Sequence, residues 1–236
     1  MGWLLARLYL RTAVLRKRSV IIGLFVALEV LLAFNAAGHT TFGNLLRELV
    51  TGFMLPVVAL VFGSAVIRDD LEGGTLGYFL ARPIPHHTLL LSRTGMAALV
   101  AMAMGLFMTL GNAVALGASG SELAAATAAI ALGAFAYTCV FVALGILFRR
   151  TFLAGFMLLF ADWALGRMPM GGRFASVRAH VENLAGIEPP FRAVAEMLAP
   201  PPSAVTSVLA LMALSGGLMA FATWRFRRFE FSGAEG

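Results

Sequence analysis

The sequence predicts an all-α membrane protein with about six transmembrane helices. Three observations carry that prediction. Hydrophobic residues make up 60% of the 236 positions and charged residues only 13%. The mean hydropathy is +0.87. Apolar runs of roughly 20 residues, the length that crosses a bilayer as a helix, alternate with short clusters of arginine. A soluble domain exposes too much surface to cover with so few charges, so lipid is the solvent that suits this chain.

The net charge of +6 does not indicate nucleic acid. The charges sit in clusters between apolar runs, as membrane topology requires, and no nucleic-acid partner is expected. The single cysteine, Cys139, lies inside an apolar run and excludes a disulfide framework within one chain.

Residues 1–18 read as an interfacial amphipathic helix. Arg7, Arg11 and Arg18 fall on one stripe, and Leu5, Leu8 and Leu15 lie around another face. Spans one and two occupy residues 19–67: Ser19 to Ala37, then about Leu49 to Ile67, with a short polar link between. Pro56, with Gly52 four residues earlier, predicts a kink in the second span. Residues 68–88 form the most polar stretch of the first half. Spans three to five fill residues 89–165: about Leu89 to Leu116, Leu123 to Phe148 and Thr151 to Leu165. A tight turn at 117–122 separates the first two of these. Residues 166–203 are mixed in character, with helical spacing at Val177, Val181 and Leu184 that predicts a short helix facing the bilayer or span six. A loosely packed surface hairpin is the alternative there. Span six is about Ala204 to Thr223, and residues 224–236 form a tail.

Orientation follows from the basic residues. Of the 18 Lys and Arg residues, thirteen flank one side of these spans and five the other. The positive-inside rule makes the richer side cytoplasmic, with both termini inside. Six spans and two inside ends are mutually consistent, and the expected location is a bacterial inner membrane.

The loop between spans two and three carries the most specific pattern. It runs RDDLEGGTLGYFLARPIPHH from Arg68 to His87. Read by itself, Asp69, Asp70 and Glu72 suit the positive end of a short helix. Leu76, Phe79 and Leu80 make an apolar patch at spacings of three and four. Gly73, Gly74 and Gly77 allow close approach of another surface, and Pro83 ends the segment. Such a half-apolar helix at a membrane mouth suits docking into a partner's groove.

This loop resembles that of the ABC type-2 exporter permeases, which reads approximately E-x-E-x-G-T-L-x-x-L-L-[ST]-x-P-[VI]-[ST]-R. Asp70 and Glu72 match the acidic positions, Gly74, Thr75 and Leu76 match G-T-L, and Phe79 and Leu80 match the apolar pair. Pro83 and Ile84 match the proline step, and Arg93 falls where a later basic residue is expected. Pro85 and His86 depart from the pattern. The resemblance implies a coupling helix at 68–88 that receives the motion of a separate ABC ATPase, present in two copies. It implies short external re-entrant helices between spans five and six, here FASVRAHVENLAG and PFRAVAEMLAP. It also implies a membrane partner, either a second copy of this chain or a similar permease.

No cofactor is expected in this chain. A Walker A loop needs a lysine for the nucleotide phosphates, and the only lysine, Lys17, has no glycine loop before it. ATP and Mg therefore belong to the partner ATPase.

Glu29 and Asp162 are the ionisable residues furthest inside spans. An intramembrane charge costs about 2.5–3.5 kcal/mol on insertion scales, so it faces protein or a water-filled path. Both are candidates for a translocation path; the alternative for Glu29 is a structural hydrogen bond to a neighbouring helix, and for Asp162, five residues before Arg167, a place near the outer interface. His39 and His180 are both external and are placed to meet, but no metal site is expected from two histidines. Two other classes compete with an exporter subunit. A non-transporting ABC membrane subunit would carry a large external domain or long stalk helices, which do not fit here. An intramembrane lipid-modifying enzyme would show a zinc helix, a nucleophile elbow or paired acidic motifs, and none is present. The chain is therefore not expected to be an enzyme, and its substrate is not encoded in any motif.

Overall fold

Long runs of leucine, alanine and valine can hide their backbone polar groups in lipid only by closing them into helices, and the described residues do so. The computed structural model describes residues 17–72, 85–148, 150–168, 171–187 and 202–227. Among them there is no strand. The helices are α1 (Lys17–Asn35), α2 (Phe42–Leu45), α3 (Leu55–Glu72), α4 (His86–Leu116), α5 (Gly120–Leu147), α6 (Thr151–Arg167), α7 (Val177–Leu184) and α8 (Ala204–Arg227). A π-helical stretch, Leu46–Met54, joins α2 to α3, and a 3-10 turn, Gly171–Ala175, precedes α7.

The centre of the bundle is α5, which packs against α3, α4, α8 and α7. Its buried face is built largely from small residues, including Ala126, Ala129, Gly133, Ala134, Ala136 and Ala143. Without a hydrophobic drive between helices in lipid, small side chains that let backbones approach are what hold such bundles together. At the α3–α5 crossing a Cβ on Gly63 would lie 3.0 Å from Phe141 Cβ and 3.1 Å from the Thr138 carbonyl oxygen. Only glycine fits there without moving backbone.

The expected turn at 117–122 is shorter than the sequence indicated. Gly117 takes the left-handed conformation (φ +69°) that ends α4, and α5 already begins at Gly120. A reciprocal capping box starts it: the Ser119 side chain accepts from the Glu122 N–H, and Glu122 Oε2 accepts from the Ser119 N–H at 2.8 Å.

Span two also differs from its predicted form. Helical structure begins at Phe42, well before Leu49, and the kink expected from Gly52 and Pro56 is a change of register. The Leu55 N–H reaches back five residues to the Val50 carbonyl, immediately before Pro56. A proline has no N–H to continue the α pattern, and π turns are one way a helix absorbs that loss. At its far end α3 carries Asp69, Asp70 and Glu72 within its own helix, so these residues do not open a separate short helix as expected.

Four helical segments are long and apolar enough to cross a membrane: Phe42–Asp69, His87–Leu116, Gly120–Leu147 and Ala204–Phe226. A shorter apolar helix covers Val20–Asn35. The 17 residues of α6 span about 26 Å at about 1.5 Å per residue, just under a bilayer core of about 30 Å. Both α1 and α6 turn large apolar side chains outward, among them Val20, Leu24, Leu31, Met157 and Phe160. Outward apolar faces of this size suit a lipid surround.

Several sequence expectations lie outside the described residues. These are the interfacial helix up to Arg16, the loop residues Gly74, Thr75, Leu76, Phe79 and Leu80, the second external helix, and the tail after Arg227.

Candidate functional site

Two buried polar centres stand out in an otherwise apolar bundle. The first joins α1 to α4. Glu29 and Asn112 are both fully buried, and Asn112 Nδ2 donates to Glu29 Oε1 at 2.9 Å. The other oxygen of each group, Glu29 Oε2 and Asn112 Oδ1, has no hydrogen-bond partner. Two acceptors without a donor are unusual in a native interior, where nearly every buried polar atom is paired. A close contact sits beside them: the ideal Cβ position on Gly111 lies 2.7 Å from Val30 Cγ1. Glu29 therefore faces protein and not lipid.

The second centre surrounds α7. Asp162 is buried, and its carboxylate receives three donors from two directions. The Tyr137 hydroxyl on α5 donates to Oδ2 at 2.5 Å. The Val177 N–H donates to Oδ1 at 2.8 Å and the Arg178 N–H to Oδ2 at 3.2 Å. These two amides belong to the first turn of α7, whose intrahelical partners do not exist, and the helix dipole favours a negative charge there. Ser176 completes the cap, accepting from the Ala179 N–H at 3.1 Å and donating to the Asp162 carbonyl at 3.2 Å. Both carboxylate oxygens thus have donors from within the chain. On its other side it borders an apolar cavity of about 280 Å³ walled by Val140, Leu144, Leu158 and Leu214.

The body of α7 is buried with its charges. Arg178 Nε donates to Glu182 Oε1 at 2.5 Å, one helical turn on. Burial pushes the Glu182 carboxyl above its ordinary range, and the Arg178 guanidinium beside it offsets only part of that rise. Arg178 Nη2 also donates to the Arg47 carbonyl at 3.0 Å, in the π-helical stretch, and lies 3.8 Å from Glu48. This approach depends on Gly52, where a Cβ would stand 2.9 Å from the Arg47 oxygen and 3.1 Å from Arg178 Nη2. Glu48 pairs in turn with Arg47 at 3.2 Å and with Arg167 at 2.7 Å. The Arg167 guanidinium lies over the Trp163 ring, 4.3 Å from its centroid.

His180 does not meet His39. Its Nε2 donates to the Phe174 carbonyl at 3.0 Å, which leaves Nδ1 to accept from Ser207 Oγ at 3.1 Å. Asn183 donates to the same hydroxyl at 2.9 Å and to the Pro202 carbonyl at 2.7 Å. Among the described residues no group of histidine, cysteine and acidic side chains is placed to hold a metal ion. The segment expected to be a short helix facing the bilayer or span six, or else a loose hairpin, is a buried helix packed on span six, here α8, and on α5. Val181 is its innermost residue and meets Gly133.

On the opposite side, α3 and α4 carry the two ends of the 73–84 loop. Arg93 is buried and its Nη1 donates to the Val66 carbonyl at 3.3 Å, tying the two helices near the base of that loop. Arg93 was singled out by sequence as a basic residue entering span three. The Glu29–Asn112 pairing, the caps on α7 and the Arg178–Glu182 pair were not anticipated. The last had a legible signal, opposite charges four residues apart on a helix.

The arrangement defines a multi-pass helical membrane protein with polar centres buried between its helices. Residues 14–161 match the family described as ABC-2 family transporter protein. That is more than half of the chain, and the chain belongs to this family. No curated protein matches it. Members of the family are the membrane component of an ABC transporter, not itself catalytic, and they work with an ABC ATPase. The chain is accordingly an ABC permease subunit.

Proposed function

We propose that this chain is the membrane-spanning subunit of an ATP-driven exporter, moving its substrate outward as a separate ATPase, holding ATP and Mg, hydrolyses the ATP. It works as a dimer with a second copy or a similar permease, in a bacterial inner membrane with both termini cytoplasmic. The family match is the observation that carries this reading. The thirteen-to-five basic bias supports the orientation. In this reading the Asp70–Leu80 segment docks the ATPase. The Arg93–Val66 bond then makes α3 and α4 a tied pair that a stroke applied to the loop moves together.

The two acidic candidates separate here. Asp162 already receives three hydrogen bonds, so its part is to anchor α7. Glu29 keeps an oxygen without a donor and is the one we place beside the translocation path.

The test is co-expression with a candidate ABC ATPase, followed by co-purification and turnover in reconstituted membranes. Gly74→Trp is expected to clash in the docking pocket and weaken assembly. Glu72→Ala is expected to leave assembly intact and uncouple hydrolysis from export, a loss of order 1 kcal/mol in contact energy. Wild-type assembly and wild-type coupled export in both variants would overturn the docking assignment.

A further inference from the structure

A cavity of about 600 Å³ opens where α3 ends and α6 begins, lined by Ser64, Arg68, Asp69, Arg150, Thr151 and the apolar trio Phe152, Leu153 and Phe156. Its chemistry is divided. At one end stand two guanidinium groups and one carboxylate. Arg68 Nη1 donates to Thr151 Oγ1 at 3.2 Å, and that hydroxyl donates to the Phe148 carbonyl at 2.8 Å, so the Arg68 head is held in place. Arg150 is exposed and makes no ion pair with any described residue. It is also the residue from which α6 starts without a side-chain cap. At the other end Phe152, Leu153 and Phe156 are exposed, and the apolar face continues along α6 through Met157 and Phe160.

We propose that this cavity holds the headgroup of an anionic phospholipid, its phosphate between Arg68 and Arg150 and its acyl chains along Phe152, Phe156 and Phe160. Charge complementarity selects the occupant. Two arginines against Asp69 leave the lining side chains with a net positive charge, at the end of the spanning helix Phe42–Asp69. Guanidinium groups fit phosphate geometry through paired N–H donors. The volume lies in the range of ordinary small-molecule sites. A soluble anion would satisfy the arginines but leave the phenylalanine track unused, and a zwitterionic lipid would bring the same phosphate together with an ammonium that two guanidinium groups repel. A lipid whose phosphate carries no cationic headgroup suits both ends. The site lies away from Glu29 and from the α7 anchor, and it does not depend on the direction of transport.

The test is native mass spectrometry of the full chain extracted into detergent with equal phosphatidylglycerol and phosphatidylcholine. The wild type is expected to retain phosphatidylglycerol in preference to phosphatidylcholine. Arg150→Gln, at an exposed position, is expected to lower that preference about fivefold, the worth of one arginine at an anionic surface. Arg225→Gln, an exposed arginine on α8 outside the cavity, is expected to leave it intact. Excess inorganic phosphate is expected not to displace the lipid. Equal retention of the two lipids by the wild type would overturn the proposal. So would unchanged selectivity in Arg150→Gln, an equal loss in Arg225→Gln, or ready displacement by phosphate.

Discussion

Asp162 shows how a single carboxylate decides the placement of a helix. Its oxygens take the Tyr137 hydroxyl and two first-turn amides of α7, so removing it strands three buried donors at once. Asp162→Ala is expected to cost about 3 kcal/mol, in line with hydrogen bonds to charged groups whose partners are left unsatisfied. Asp162→Asn, which retains one accepting oxygen, is expected to lose less. Thermal unfolding in detergent measures both, and a wild-type melting temperature in the alanine variant would refute the anchoring role. Glu29 calls for the opposite experiment. The two free acceptors at the Glu29–Asn112 pair lack one donor, and a glutamine at 29 supplies it while still accepting from Asn112. Glu29→Gln is therefore expected to assemble as well as the wild type, whereas Glu29→Leu leaves Asn112 without a partner. Transport by the glutamine variant then isolates any role of the carboxyl in the path, since the structural contact survives. If the leucine variant is as stable as the glutamine one, the pair does not hold α1.

At the scale of elements, the apolar stretches were readable because lipid makes composition nearly sufficient: a run long enough to span must be helical. The ends were less readable. The stretch before Leu49 looked like a polar link because Asn44, Arg47 and Glu48 are polar, yet it is helical from Phe42. Its polar side chains have partners on α6 and α7, and pairing of this kind cannot be seen in local sequence. For the same reason α7 left a surface hairpin open as an alternative to a packed helix: Arg178, His180 and Glu182 are ordinary solvent-facing residues unless another segment covers them. The π-helical stretch is where these elements lock together, with Gly52 leaving room for Arg178. Gly52→Ala is expected to destabilise by about 1–3 kcal/mol, the usual cost of overpacking, because one of its close neighbours is backbone. Its effect is expected to vanish in an Arg178→Ala background only in part, since the Arg47 carbonyl stays 2.9 Å away. Additive effects of the two substitutions in a double-mutant cycle would show that they do not share this contact.

For the whole molecule, orientation is the property most directly open to measurement. Cys139 is buried, so Cys139→Ser gives a thiol-free background. Ser176, the N-cap of α7, is fully buried and a poor reporter. Ser121, exposed in the first turn of α5, and Arg150, exposed at the start of α6, are better placed on opposite ends of α5. With the richer basic side inside, Ser121→Cys is expected to react with a membrane-impermeant maleimide in intact cells, and Arg150→Cys only after the membrane is broken. The reverse pattern would invert the topology. Four helices are long enough to cross unaided, so labelling at these two points also tests whether α5 crosses completely.

The position of α7 also sets an order of events during synthesis. Eight residues are too few for a helix to persist alone in water, and its partners come from three other parts of the chain. Arg47 and Asp162 precede it, and Ser207 follows it at the start of α8. The segment cannot gain its full set of partners until α8 has emerged, so this face of the bundle closes late. A chain ended before residue 202 is expected to insert α1 to α6 yet leave residues 171–187 open to protease, while the full chain protects them. Equal protection in both would mean that α7 is secured by the earlier helices alone, and that the last span joins a face already closed.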